Sequence, residues 1–319
     1  MAAPRILFVK LSSLGDVVHN LPAVTDIAER LPGAHIAWAV EDAYVDLVRL
    51  HPAVSEAIPV NLRSLRRNVL RPSEWGRMAN ARRAVRGKGW DYVIDTQGLL
   101  KSATVARWAG RPIFGFDRKH AREPVAARFY DVKIAVPKAM HAVERNRRLV
   151  AEVFGYAPRE GVRYGVTTPG EPLSWLHAER YAVLLHAASR AEKRWPEERW
   201  IALARLLAEY GYTSVFPGGT DEELGRAARL AHAVPAAIAA PRMGLREAAA
   251  LLGNAAGVVG VDTGLTHLAV ALGVPTVGIY CATRPELTGL HGENATNVGG
   301  AGTSPSVDDV AQAVARGGE

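Results

Sequence analysis

Lys10-Leu11-Ser12-Ser13-Leu14-Gly15-Asp16-Val17-Val18-His19 follows directly on the apolar run Ile6-Leu7-Phe8-Val9. That run stops at Ser-Ser-Leu-Gly-Asp, and apolar residues resume at Val17, Val18, Leu21, Val24 and Ile27. A short continuous apolar run, a polar break and then helical spacing predict a strand, a tight loop and an amphipathic helix. Gly15 suits a sharp backbone turn. Asp16 then falls in the first turn of the helix, at the carboxyl edge of a parallel sheet, where open α/β folds bind ligands. An aspartate there serves either as a helix cap or as a catalytic carboxylate, and the loop alone leaves both readings open.

Apolar strand-like runs recur at residues 6–9, 35–40, 57–59, 92–95 and 113–116, with helical patterns between them. This alternation predicts a parallel sheet covered by helices. Residues 155–172 are rich in Pro, Gly and Thr and predict a linker, placed at 161–172 between a first domain at 1–160 and a second at 173–319. A second alternation follows, with strands at 182–186, 213–217, 236–240, 258–261 and 276–280. Its helices span 196–210 or start near 222, 245 and 263, and a last one at 306–316 is capped at Ser306. The expected architecture is α/β, with two Rossmann-like domains facing each other across a cleft.

The chain has 319 residues, enough for two cores of ordinary size, and 48% apolar with 22% charged residues is a globular composition. No signal peptide or membrane span is recognisable. The single cysteine, Cys281, leaves no intramolecular disulfide and no cysteine-rich metal site, which together predict a cytoplasmic protein. The net charge of +7 is uneven: residues 1–155 carry 25 Lys and Arg against 15 Asp and Glu, and residues 156–319 carry 14 against 17. The densest basic stretch contains Arg63, Arg66, Arg67 and Arg71, then Arg77, Arg82, Arg83, Arg86 and Lys88. Such a field attracts nucleic acid, an anionic membrane surface or a phosphorylated or carboxylated substrate. Only Trp75 interrupts it as an aromatic, which disfavours nucleic acid. No Gly-x-Gly-x-x-Gly follows the first strand, which disfavours a dehydrogenase.

In the second half, Val258-Val259-Gly260-Val261-Asp262-Thr263-Gly264-Leu265-Thr266-His267 carries a strand into Asp-Thr-Gly and a helix. Helix N-termini bind anions, Gly264 permits close approach, and Thr263 and His267 are one helical turn apart. His186-Ala187-Ala188-Ser189-Arg190-Ala191-Glu192-Lys193 ends another strand in small residues, with Lys193 as a flexible point charge. Pro217-Gly218-Gly219-Thr220-Asp221-Glu222-Glu223 is a third strand-end loop, whose acids suit either ribose hydroxyls or a helix start. Together these segments suit a nucleotide diphosphate.

Five segments, taken together, carry a resemblance. They are residues 10–26, Asp95-Thr96-Gln97-Gly98-Leu99-Leu100-Lys101-Ser102, Gly115-Phe116-Asp117, Ala121-Arg122-Glu123-Pro124 and Asp262-Thr263-Gly264-Leu265-Thr266-His267. In this order they resemble the lipopolysaccharide heptosyltransferases, in detail the heptosyltransferase I branch, over nearly the whole chain. The resemblance implies a GT-B enzyme that moves L-glycero-D-manno-heptose from ADP-heptose to the inner Kdo of Kdo-lipid A, with inversion. ADP-heptose would be a substrate, with no cofactor, no protein-bound metal and no nucleic-acid partner. The protein would work at the anionic cytoplasmic face of the inner membrane.

Carried over by residue, Asp16 is similar to the family's general base and Lys193 to its diphosphate-binding lysine. Ser189, Glu223, Met243, Asp262, Thr263, Gly264 and His267 would hold the donor. Ser12, Ser13, Gly15, His19, Arg63, Arg66, Arg67, Gln97, Lys101 and Arg122 would line the acceptor side. Ala188 departs from the family pattern, which has a hydroxyl residue there. Heptosyltransferase II, acting on an already heptosylated core, is the near alternative. A nucleotide-sugar epimerase of the same fold is a remote one, because it needs no basic acceptor face.

Overall fold

The computed structural model describes residues 3–68, 70–110, 112–188 and 190–317, without the side chains of 65–67. The chain divides into two compact units, Met1–Val166 and Thr167–Glu319.

The first unit holds β1 (Arg5–Val9), β2 (His35–Glu41), β3 (Val54–Val60), β4 (Tyr92–Asp95), β5 (Ile113–Phe116) and β6 (Val132–Ile134). They form one sheet in the order β3-β2-β1-β4-β5-β6, with every pairing parallel. The central strands are buried on both faces, which is why β1 reads as an unbroken apolar run rather than an alternating one. On one face Leu7, Val9, Ala37, Ala39 and Val93 pack with Ala81, Val85, Ala103 and Ala106 from the helices Pro72–Val85 and Leu100–Ala109. The helix Leu21–Arg30 sinks Leu21, Val24 and Ile27 completely. Burying each such side chain stabilises the fold by about 1.5–3 kcal/mol.

The second unit repeats the plan with β7 (Tyr181–Leu185), β8 (Thr213–Phe216), β9 (Ala237–Ala239), β10 (Gly257–Val261), β11 (Thr276–Tyr280) and β12 (Ala295–Gly299). Their order is β12-β11-β10-β7-β8-β9, again all parallel. Trp195 and Trp200, both fully buried, meet edge to face beneath this sheet, 5.0 Å between ring centres. The final helix is Val307–Gly317, and Ser306 caps it by exchanging hydrogen bonds with Asp309.

The edge strands β6 and β12 lie where no strand is predicted. β6 is three largely exposed residues, and β12 has no fully buried position, so neither has the apolar signature of an inner strand. The strand order reverses between β1 and β4 in the first unit and between β7 and β10 in the second. Loops leaving the carboxyl ends of those pairs diverge and open a crevice, the usual ligand position in doubly wound sheets.

Candidate functional site

At the first reversal point the loops after β1 and β4 are tied together by Gln97. Its Oε1 accepts from the Leu11 N–H at 2.7 Å, and its Nε2 donates to the Ser12 carbonyl at 2.8 Å. Below it, the buried Asp95 carboxylate accepts from the Tyr130 hydroxyl (2.7 Å), the Ser102 hydroxyl (2.8 Å) and the Gln97 and Gly98 N–H groups (2.8 and 3.2 Å). Burial still raises its pKa above the ordinary carboxylate value, against the lowering by those donors. Gly98 sits at φ +68°, and a Cβ there would lie 3.3 Å from both the Arg122 nitrogen and the Phe116 ring. Glycine at this position therefore lets the Arg122 segment close onto the β4 loop, where the Glu123 N–H donates to the Gly98 carbonyl at 3.0 Å.

That closure delivers Arg122 to Asp16. The guanidinium donates from Nη2 to Oδ1 at 2.8 Å and from Nη1 to Oδ2 at 3.2 Å, a two-pronged pair. Asp16 is the third residue of the helix Leu14–Val18, and its Oδ2 also accepts from the Ser13 N–H at 3.0 Å. It is thus a helix-start residue and a charge-paired carboxylate at once. Burial alone would raise its pKa, but the charges of Lys10 and Arg122 and the Ser13 N–H outweigh burial and leave it lowered. Lys10 is 5% exposed and donates to the Thr96 carbonyl at 2.9 Å, and burial brings its pKa down to about 8. Arg145 lies over the Phe116 ring at 4.6 Å and donates to the His120 carbonyl at 2.8 Å.

Lys101 Nζ donates to the Ser12 hydroxyl at 2.7 Å. Its pKa is lowered by burial, with Glu41 opposing and Arg63 adding to the shift. Arg63 lies over Tyr44 and donates to its hydroxyl at 2.9 Å, while its backbone N–H donates to Glu41 at 3.4 Å. The structure therefore gathers Ser12, Ser13, Asp16, Arg63, Lys101 and Arg122 around one edge of the first sheet. The side chains of Arg66 and Arg67 lie outside the described residues.

Three expectations for this edge change. Gly15 is inside the helix rather than at the turn, which falls at Ser12 and Ser13 before it. Gln97 is 2% exposed with both amide ends committed to backbone, so it holds the loop instead of lining the acceptor side. His19 is 4% exposed and meets the His141 ring edge-on, which makes it a packing residue. Lys10, Glu41, Asp95 and Arg145 join the edge as well. Lys10 and Asp95 stand inside quoted motifs, whereas nothing in the sequence around Glu41 or Arg145 marks them.

At the second reversal point Asp262, just past β10, is the hub. Its Oδ2 accepts from Lys193 Nζ at 2.6 Å and from the Thr283 hydroxyl at 2.8 Å, and its Oδ1 lies 3.6 Å from His267 Nε2. Burial would raise its pKa, but His267, Lys193 and Thr283 together hold it well below the usual carboxylate range. Thr263 is the residue before the helix Gly264–Ala271, and its hydroxyl meets that of Thr266 at 3.2 Å. His267 is 4% exposed and turned to Asp262, at the start of the same helix.

Glu223 spends Oε2 on the Gly219 and Thr220 N–H groups at 2.8 and 3.0 Å, capping the helix Asp221–His232. Arg242 pairs with Asp221 and the Gly219 carbonyl, which ties the half-buried Met243 loop to the Glu223 loop. Arg226 donates to the carbonyls of His186 and Trp195 at 3.1 and 2.8 Å and so holds the loop that carries Lys193. Ser189 lies outside the described residues. Thr283 and Arg226 are further residues the sequence does not advertise.

Two parallel six-stranded sheets of the same strand order, each with a polar cluster at its reversal point, make the two-domain GT-B fold. A solved structure of E. coli heptosyltransferase WaaC with ADP has a TM-score of 0.91 and 37% identity to the protein, covering 98% of this chain and 99% of that one. The same enzyme with ADP-2-deoxy-2-fluoro heptose gives 0.86 and 36%, with the same coverage. In sequence the chain is 42% identical to lipopolysaccharide heptosyltransferase 1 of Pseudomonas aeruginosa, across 92% of this chain and 83% of that protein. Lipopolysaccharide heptosyltransferase 2 of E. coli K12 is 25% identical, across 89% and 84%. Residues 78–315 match glycosyltransferase family 9 (heptosyltransferase). The chain belongs to this family and is a glycosyltransferase.

Proposed function

We propose that the protein transfers L-glycero-D-manno-heptose from ADP-heptose to the inner Kdo of Kdo-lipid A, with inversion at the anomeric carbon, in lipopolysaccharide inner-core synthesis. The observation that carries this reading is the division of labour between the two polar clusters. One is a carboxylate among cations at Asp16, and the other is the Lys193 and Asp262 cluster at a helix start. The higher identity to heptosyltransferase 1 than to heptosyltransferase 2 supports the first transfer rather than the second.

Single displacement needs a carboxylate at the attacking hydroxyl and positive partners at the departing diphosphate. Lys193 moves from Asp262 to the diphosphate, and the first N–H groups of the helix Gly264–Ala271 complete the anion site. Thr283 and His267 stay on Asp262 and compensate its charge. Glu223 and Met243 border the nucleoside and heptose, and Ser189 the diphosphate. Arg122, 44% exposed in its side chain, turns from Asp16 to the carboxylate of the acidic acceptor sugar, with Arg63 and Lys101 beside it.

Asp16 then takes the hydroxyl proton. Its low pKa makes it a weak base, which suffices when the proton leaves late, after the new bond has made the attacking oxygen acidic. ADP-heptose serves as substrate, and neither a resident cofactor nor a protein-bound metal takes part. The protein works at the cytoplasmic face of the inner membrane. Among the described residues no helix is long and apolar enough to cross a membrane.

Incubation with ADP-heptose and de-acylated Kdo-lipid A, followed by mass measurement, tests the reading. A product heavier by one heptose is expected. An unchanged acceptor contradicts it, and heptose gained only by a pre-heptosylated core assigns the second transfer instead.

A further inference from the structure

The helix Pro72–Val85 is fastened to its sheet by one narrow face. Glu74, Ala81 and Val85 are buried, while Trp75, Ala79, Arg82 and Arg86 follow one another at helical spacing on an exposed stripe. Just before it stands Leu70, 94% exposed, and Trp75 itself is 54% exposed. Apolar side chains of this size are ordinarily covered, and these two stand among cations. Arg77 and Lys88 have carboxylate partners in Asp42 and Glu56. Among the described residues Arg71, Arg82, Arg83 and Arg86 are all exposed and form no ion pair.

The helix also has a defined direction. Asn61, just past β3, donates to Glu74 at 2.9 Å, and Asp42, just past β2, pairs with Arg77. At the far end Trp90, just before β4, donates to the Val85 carbonyl at 2.7 Å. Leu70 and Trp75 therefore stand at the carboxyl edge of the first sheet, the edge that carries Asp16, Lys101 and Arg63.

We infer that Leu70, Trp75 and the unpaired arginines 71, 82, 83 and 86 form a docking face for an anionic lipid bilayer. The apolar pair enters the headgroup region and the arginines take lipid phosphates. An indole prefers that boundary because its ring is apolar and its N–H polar, and each arginine adds electrostatic attraction at an anionic surface. A nucleic acid fits less well, since one indole gives no stacking series. The inference rests on the reading that the acceptor is lipid-linked, and it adds where the enzyme meets the lipid: the apolar end of the docking face stands at the acceptor edge, and Arg82, Arg83 and Arg86 follow along the helix away from it.

The test is co-sedimentation of the full chain with vesicles of phosphatidylglycerol and phosphatidylcholine, against phosphatidylcholine alone. Two variants are compared: Leu70→Ser with Trp75→Ser, and Arg82→Gln with Arg83→Gln and Arg86→Gln. The wild-type protein should partition onto the anionic vesicles only. The apolar variant should bind roughly tenfold and the arginine variant roughly 100-fold more weakly. Both should keep the wild-type rate on a de-acylated acceptor and lose rate on an acceptor embedded in vesicles. Absence of wild-type binding, binding unchanged in either variant, or binding to nucleic acid instead overturns the inference. Vesicle binding that follows this pattern, in a protein that never transfers heptose to the de-acylated acceptor, supports the docking face and removes the acceptor reading alone.

Discussion

Asp16 and Arg122 are 106 residues apart in sequence and joined by two hydrogen bonds of 2.8 and 3.2 Å. The pair explains how a carboxylate at a helix start can be more than a cap. Its charge is balanced by Arg122, a side chain exposed enough to turn toward an anionic ligand, while the buried Lys10 remains behind it.

Gly98→Ala should break the approach that brings Arg122 to Asp16. Alanine at φ +68° is strained, and its methyl group would press on the Arg122 backbone. A loss of about 1–3 kcal/mol in stability is expected, together with a raised KM for the acceptor and an unchanged KM for the donor. Chemical denaturation and steady-state kinetics measure the two effects, and an unaltered acceptor KM would separate Gly98 from the site.

The Asp262 hub predicts a graded series. Lys193→Ala should weaken ADP binding roughly 10–100-fold, the effect of losing a charge-assisted phosphate contact. Thr283→Val leaves Asp262 more dependent on Lys193, so the lysine is less available to the diphosphate and ADP affinity should fall roughly fivefold. Thr283→Ser should restore it. Calorimetric titration with ADP distinguishes these outcomes, and equal or tighter binding by Thr283→Val would contradict the proposed exchange.

Lys10 predicts a pH dependence. Its pKa of about 8 is below the unperturbed 10.5, so its protonated form costs folding free energy below pH 8. That cost disappears as the pH rises from 8 towards 10.5. Over the same rise a positive charge is lost beside Asp16, and the KM for an anionic acceptor should increase. In Lys10→Met the acceptor KM should be high and nearly flat across this range, with its stability lacking the corresponding alkaline gain. A variant that keeps the wild-type rise would assign the titration to another group.

Much of this arrangement is legible from local chemistry. The inner strands are short apolar runs, and β4, β5 and β11 have the residues their patterns predict. Asp16, Lys193 and Asp262 stand shortly after strand ends, which local spacing can locate. What escapes is tertiary. Thr283 follows an ordinary strand, and only parallel pairing of β10 with β11 sets it beside Asp262. Gln97 looks like a ligand contact because it sits in a polar motif, yet both ends of its amide are taken by a loop 85 residues away in sequence. Edge strands such as β6 bury too little to carry a pattern.

Asp16→Asn is the most direct test. Asparagine preserves the side-chain shape and the acceptor for the Ser13 N–H, so the fold and ADP affinity should persist. It removes the group that takes the proton. The measurement is the turnover of heptose from ADP-heptose to de-acylated Kdo-lipid A by this variant beside the wild-type protein, with ADP affinity determined on both. Transfer of one heptose by the wild-type protein, and a fall of roughly 10²–10⁴ in turnover with ADP binding intact, is expected. A folded, ADP-binding variant with near-normal turnover would contradict the role of Asp16 and leave it a helix-start residue paired with Arg122.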